Sequence, residues 1–343
     1  MVGGKILFHS LPQITSILPP GHGIEGDLKM WYRVRAVKGT AQQKFLKSST
    51  VEAVAAFGFL APNFIGFLLF TSLPVFASLA LSFVSWDLFS PPRFVGFENF
   101  VRLLQDSLFW KYCWNTIYLM LAIPISMAGS LALAVALNQK LKGIVFFRTI
   151  YFLPTICSGV AIYMLWRLLY NADFGLFNLT ITKIGEIFHL PLKGPNWLTD
   201  EAWAKPALII MNVWGTVGGY NMILYLAALQ GVPQDLYEAA AIDGANSWQK
   251  FWNVTWPQIS PTTFFIATMS IIGGFQSGFD PAFIMTGGGP NGSTTTIIYY
   301  IFNNAFQWHH MGYAAAIAWI LFLIIFLFTL VKWKVFGRAV YYY

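Results

Sequence analysis

The sequence predicts an all-α integral membrane fold with about six transmembrane helices, and three observations predict it. Of the 343 residues, 57% are hydrophobic and only 10% are charged, against roughly 25% charged in soluble domains. Six runs approach the roughly 20 apolar residues needed to cross a bilayer. Fourteen of the 21 Lys and Arg residues fall in alternate segments between those runs, the bias that marks cytoplasmic loops. The 32 Phe, 15 Tyr and 14 Trp suit lipid-facing and interfacial surfaces.

Residues 1–52 are polar, basic and rich in Gly and Pro, and read as a cytoplasmic extension, partly flexible or carrying an interfacial helix near Leu28 to Leu46. The apolar stretch near Ile6 is short and broken by Pro12, unlike a signal peptide. The transmembrane domain is expected over residues 53–338, followed by a cytoplasmic tail at 339–343. Its first span runs from about Ala53 to Phe83 with Pro62 and Pro74 inside, the second from Asn115 to Leu137 and the third from Thr149 to Leu169. The fourth covers Pro206 to Leu229, the fifth Thr262 to Met285, and the sixth, Tyr313 to Val331, has no charge. The charge bias puts both termini inside. One segment dissents: residues 230–261 fall on the cytoplasmic side with a single Lys and three acids. A loop that breaks the orientation rule has another task.

Several functions are excluded by what the residues lack. The formal charge of +7 is spread between apolar runs and forms no nucleic-acid patch. Cys113 and Cys157 are too few for a disulfide framework or a thiolate metal site. No GxxxxGK[ST] is present, and the GxGxxG of Gly21 to Gly26 has no βαβ unit around it. There is no HExxH, and the adjacent His309 and His310 read as interfacial residues. Ion-coupled carriers need ionisable groups within their spans, and Asp280 is the one clear case, so a stand-alone secondary transporter or channel is the weaker reading. An intramembrane enzyme would need paired carboxylates or a Ser–Lys or Ser–His dyad, and no such set is found. What remains is a protein of the lipid bilayer, expected to have no catalytic residue, metal or cofactor of its own.

The dissenting loop carries the signal. Pro233 fits the first turn of a helix, and Asp235 and Glu238 suit its positive end. Ala239, Ala240 and Ala241 propagate it, Gly244 breaks it, and Pro257 opens the next element. The result is a compact helix-turn-helix on the cytoplasmic face, with Tyr237, Ala240 and Ala241 on one side. These residues resemble the EAA-x3-G-x9-I-x-LP pattern of ABC importer permeases: Glu238, Ala239, Ala240, Gly244 and Pro257 match, while Val254 and Trp256 stand in the Ile and Leu positions. Ser82 to Asp106, Arg148 to Asn178 and Thr286 to Pro290 resemble the loops of carbohydrate-uptake permeases, of the maltose and glycerol-phosphate group.

The resemblance implies a type I importer permease fold whose loop, residues 231–261, is a coupling helix docked on a separate ATPase subunit. It assigns that contact to Glu238, Ala239, Ala240, Asp243, Gly244 and Pro257, with ATP and Mg held by the partner. It further implies a second, homologous permease subunit, two copies of the ATP-binding subunit, an extracytoplasmic solute-binding protein and a sugar cargo, in a bacterial inner membrane. The sugar path is expected along Asn212, Trp214, Thr216, Tyr220 and Asn221 of the fourth span and Gln276, Ser277, Phe279 and Asp280 of the fifth. Glycerol-phosphate or an acidic saccharide would want cations in the path, and only Arg167 lies near one, which favours a neutral sugar. The glycine-rich segment Gly287 to Ser293 is expected to turn the chain outside the membrane, with contact to the docking binding protein as the alternative.

Overall fold

The computed structural model describes residues 51–139 and 142–336. The expectations for residues 1–50 and for the tail at 339–343 lie outside the described residues. The chain divides into two units, one ending at Pro74 and one starting at Val75. Described residues are mostly helical, as the apolar runs require.

Helix α1 covers Val51–Ser82. Between Leu68 and Ser72 it widens into a π-turn in which Leu73 N–H reaches Leu68 O. This turn lies just ahead of Pro74, which has no N–H to give to the preceding turn. Up to Pro74 its large apolar side chains, Phe57, Phe59, Phe64 and Phe70 among them, are exposed.

In the second unit, a short antiparallel ribbon pairs β1 (Val84–Ser85) with β2 (Arg93–Phe94). It leads to α2 (Glu98–Gln105), whose Asn99 donates to Ser82 O at 2.9 Å and Val84 O at 3.0 Å. The second span is α3 (Ser107–Leu119) with α4 (Ala122–Leu137). It begins earlier than its sequence suggests because Asp106 caps it by accepting from Leu108 N–H at 2.9 Å. The third span is not one straight rod: α5 (Ile144–Ile156) and α6 (Gly159–Leu169) meet at 96°. Pro154, inside the last turn of α5, removes a backbone donor there. After α7 (Leu176–Ile187), α8 (Glu201–Val217) and α9 (Tyr220–Gln230) make the fourth span, bent by 40° at Gly218 and Gly219. Next come α10 (Gln234–Ile242), α11 (Ser247–Lys250), a π-turn at Phe251–Thr255, and α12 (Trp256–Gln276).

The fifth span ends at Gln276, short of the expected Met285, because Ser277 is extended and Gly278 takes φ of 96°. The short α13 (Phe279–Pro281) and a π-turn (Ala282–Thr286) follow. Then α14 (Ile297–Phe302), another π-turn (Asn303–Gln307) and α15 (Met311–Phe336) close the described chain. Among the described residues, three helices are long and apolar enough to cross a membrane alone, and the two bent pairs raise this to as many as five. Helix α12 has the length, 21 residues, but its Pro, Gln, Ser and Thr residues dilute its hydropathy.

Helices in lipid associate through close packing and buried hydrogen bonds, since lipid tails are as apolar as the side chains. Helix α4 shows how. Ala122, Ser126, Ser130 and Ala134 recur every fourth residue, all are buried, and α4 packs on both α8 and α9. Three clusters of buried side chains anchor the unit: one around Phe109, Tyr300 and Ile317, one around Tyr225, Leu229 and Ile259, and one around Trp166, Leu208 and Met211.

Candidate functional site

The bends and small residues leave a cavity of about 340 Å³ among α3, α4, α6, α8, α9 and α12. This lies at the lower end of the roughly 300–1,000 Å³ range of small-molecule sites. Asn212, Thr216, Asn221 and Ser277, four of the residues expected along the path, line it. So do Thr116, Ser126, Tyr163, Ser270 and Thr296, which the sequence did not single out. Their signal was visible only as isolated hydroxyls within apolar runs. No lining side chain is charged. Thr216 Oγ1 lies 2.7 Å from Ser126 Oγ and 2.7 Å from Asn212 O, which ties α8 to α4 at the cavity wall.

The other expected path residues sit outside that wall. Trp214 packs edge-on against Trp166 at 5.4 Å. Tyr220 is 68% exposed, with its ring edge-on to Phe152 at 5.7 Å. Phe279 stacks on Phe283 at 5.4 Å and contacts Phe302 at 4.8 Å. Gln276 and Asp280 are exposed on the subunit surface.

The bend between α8 and α9 is set by a glycine. A Cβ on Gly218 would sit 2.1 Å from Tyr151 O, so only Gly lets α5 approach the break. Asn221, in the first turn of α9, thereby reaches the same cavity as Asn212 of α8.

One end of the cavity is bounded by the segment after the glycine-rich turn. Thr294, Thr295 and Thr296 are buried. The Asn115 amide donates to Gly292 O at 2.9 Å and Thr295 O at 3.0 Å, and Ile297 N–H donates to Thr116 Oγ1 at 3.1 Å. Nearby, Asp106 Oδ2 accepts from the hydroxyls of Tyr300 at 2.6 Å and Tyr313 at 2.7 Å. Burial opposes ionisation of Asp106. The two hydroxyls and the N–H groups of Leu108 and Phe109 outweigh burial and hold its carboxyl below the usual range.

The pattern over residues 231–261 folds as a helix-turn-helix. Pro233 stands at the N-cap of α10, one residue ahead of the first turn. Gly244 takes the left-handed φ of +78°. Ala245 N–H reaches Ala240 O at 2.9 Å and Gly244 N–H reaches Ala241 O at 3.1 Å, a Schellman closure that a Cβ would strain. Asn246 and Gln249 then form a reciprocal capping box that starts α11. Glu238, Ala239, Asp243 and Gly244 are exposed, while Ala240 and Pro257 are half-buried. Tyr237 OH and Thr255 Oγ1 are 2.9 Å apart, and Thr255 is buried at the base of α12. Helix α10 is thus joined by a side-chain bond to the π-turn that runs directly into α12, a helix that lines the cavity. Among the described residues, no group of His, Cys, Asp and Glu could hold a metal ion.

Residues 115–334 match the family model described as "binding-protein-dependent transport system inner membrane component". The chain is 36% identical to a probable ABC transporter permease protein, YesP, of Bacillus subtilis (strain 168), over 89% of this chain and 97% of that protein. It is 38% identical to the lactose transport system permease protein LacF of Rhizobium radiobacter, over 78% of this chain and 89% of that one. A solved chain from a bacterial ABC transporter involved in import of the acidic polysaccharide alginate superposes with a TM-score of 0.74 at 26% identity, covering 85% of this chain and 98% of that one. The chain therefore belongs to the binding-protein-dependent transport system inner membrane components, the multi-pass permease subunits of ABC transporters.

Proposed function

We propose that this permease carries a neutral sugar, a di- or oligosaccharide, inward across the membrane by alternating access, driven by ATP hydrolysis on a separate subunit. The observation that carries this reading is the charge-free cavity edged with Asn, Ser and Thr, joined through α12 to an exposed cytoplasmic helix. Relatives described as lactose, multiple-sugar and trehalose/maltose permeases support the cargo class. The likeness to an alginate importer keeps an acidic saccharide as the second reading. The lack of a cation in the cavity lining weighs against that reading and against glycerol-phosphate.

In this account both termini are cytoplasmic and α10 docks on one of two ATP-binding subunits. Glu238 is the anchor, pairing with a cationic group there; exposed Ala239 allows close approach; Gly244 and Pro257 set the turn and the entry to α12. Asp243 adds a second carboxylate to the same face. A homologous permease completes the path, and an extracytoplasmic binding protein delivers the sugar. Asn212, Thr216, Asn221 and Ser277 contact cargo from the cavity wall. Trp214, Tyr220, Gln276, Phe279 and Asp280 are assigned to the subunit's other faces, where the second permease completes the path.

Purification of the tagged chain from membranes tests the coupling assignment. An ATPase subunit should co-purify with the native chain and be lost with Glu238→Lys, while the variant inserts at normal levels. Retention of the ATPase by Glu238→Lys would remove the coupling role from this helix.

A further inference from the structure

A second cavity, of about 570 Å³, opens between the end of α6, the segment before α8 and the π-turn Ala282–Thr286. It shares no lining residue with the translocation cavity. In the proposed orientation it lies at the extracytoplasmic end. Its size falls within the roughly 300–1,000 Å³ of small-molecule sites.

The buried rings of Tyr170 and Trp197 line it, with centroids 5.3 Å apart. Their polar atoms are already committed: Tyr170 OH donates to Ala207 O at 2.8 Å, and Trp197 Nε1 donates to Asn178 Oδ1 at 2.7 Å. These rings are therefore held in place before any ligand arrives. Phe283, 48% exposed, adds a third ring.

The polar lining is the reverse case. Arg167 gives one donor to Ile284 O at 3.3 Å, out of the five a guanidinium carries. Asn171 uses its Oδ1 to accept from Asp173 and Phe174 N–H, and its amide donors are unspent. The side chains of Asp173, Asn196 and Thr199 make no hydrogen bond to the protein. The unspent polar lining thus combines one cation, one anion, two amides and a hydroxyl with fixed aromatic surface.

That combination matches a pyranose. Its C–H face packs on rings, and its ring of hydroxyls both donates and accepts. An anion would meet Asp173, and an apolar ligand would leave the polar lining unpaired once water is displaced. We infer that this cavity is an extracytoplasmic binding site for a neutral saccharide, separate from the translocation cavity. The inference rests on the sugar-import reading and names a second place where the cargo is held.

The test uses the full transporter in lipid nanodiscs without its binding protein. Diazirine-bearing lactose, maltose and trehalose serve as neutral probes, and a diazirine-bearing galacturonate disaccharide as the acidic one. After irradiation, labelled peptides are mapped by mass spectrometry. Neutral probes should label the peptides containing residues 167–173, 196–199 or 283–287. Combining Asp173→Asn with Asn196→Ala should lower that labelling about tenfold, the weight of one or two lost hydrogen bonds. Labelling of the peptide carrying Asn212 should persist in the same variant, which shows that it is folded. Labelling confined to the Asn212 peptide would overturn the second site and leave sugar import standing. Equal labelling by the acidic probe would overturn the neutral class. Absence of labelling at both places, for every probe, would contradict the sugar reading and this inference with it.

Discussion

Asp106 links three elements through one carboxylate: it caps α3 and accepts from Tyr300 and Tyr313. Its folded pKa lies below the unfolded value of 3.8, so its contribution to stability is fully present above that value and is lost as pH falls through the lower folded value. Asp106→Asn, which keeps a capping side chain but loses the charge, should lower the thermal midpoint at pH 7. The variant should also show a smaller further drop than the native chain on acidification to about pH 3. Equal acid sensitivity in both proteins would place the acid-labile group elsewhere. Tyr237 is a second single-residue link. Tyr237→Phe removes the 2.9 Å bond to Thr255, worth about 0.5–1.5 kcal/mol. Sugar-stimulated ATPase activity should fall while ATPase co-purification stays intact, because docking is retained and transmission is loosened.

At the scale of elements, much was legible and some was not. The apolar runs placed the spans, and the Ala run with Gly244 placed α10 and its turn, because each depends on local propensity. The 96° corner between α5 and α6 was hidden inside one apolar run, where Pro154 gives a donor loss but no angle. Helix α14, only six residues, was too short to separate from a loop by periodicity. The every-fourth-residue stripe of α4 was present in the sequence, yet its partners, α8 and α9, became visible only in the packing. For the same reason most of the cavity wall was missed: Thr116, Ser126 and Ser270 are ordinary hydroxyls until four spans converge. The break at Gly218 offers a test with an internal control. Gly218→Ala places a Cβ 2.1 Å from Tyr151 O, and such overpacking costs about 1–3 kcal/mol. The expected result is a lower thermal midpoint and impaired uptake. Gly215→Ala meets nothing within 4 Å on the same helix, and gains about 0.5–1 kcal/mol of helix stability. Equal effects of the two substitutions on the midpoint would contradict the close approach of α5.

On the scale of the whole molecule, the described chain joins two regions with different chemistry. A neutral, hydroxyl- and amide-edged cavity lies among the spans, and an exposed acidic helix lies in the loop between the fourth and fifth spans. The bond between Tyr237 and Thr255 and the continuous run from the π-turn into α12 connect them. In the proposed account, motion imposed on α10 by an ATPase would be delivered along this connection to a wall of the cavity, as alternating access requires of a permease subunit. Uptake by the complete transporter in proteoliposomes, with binding protein, radiolabelled lactose or maltose outside and ATP inside, tests this most directly. The native complex should accumulate a neutral sugar only with ATP, and Glu238→Lys should abolish accumulation while the chain inserts normally. Undiminished ATP-driven uptake by Glu238→Lys at normal expression would contradict the account.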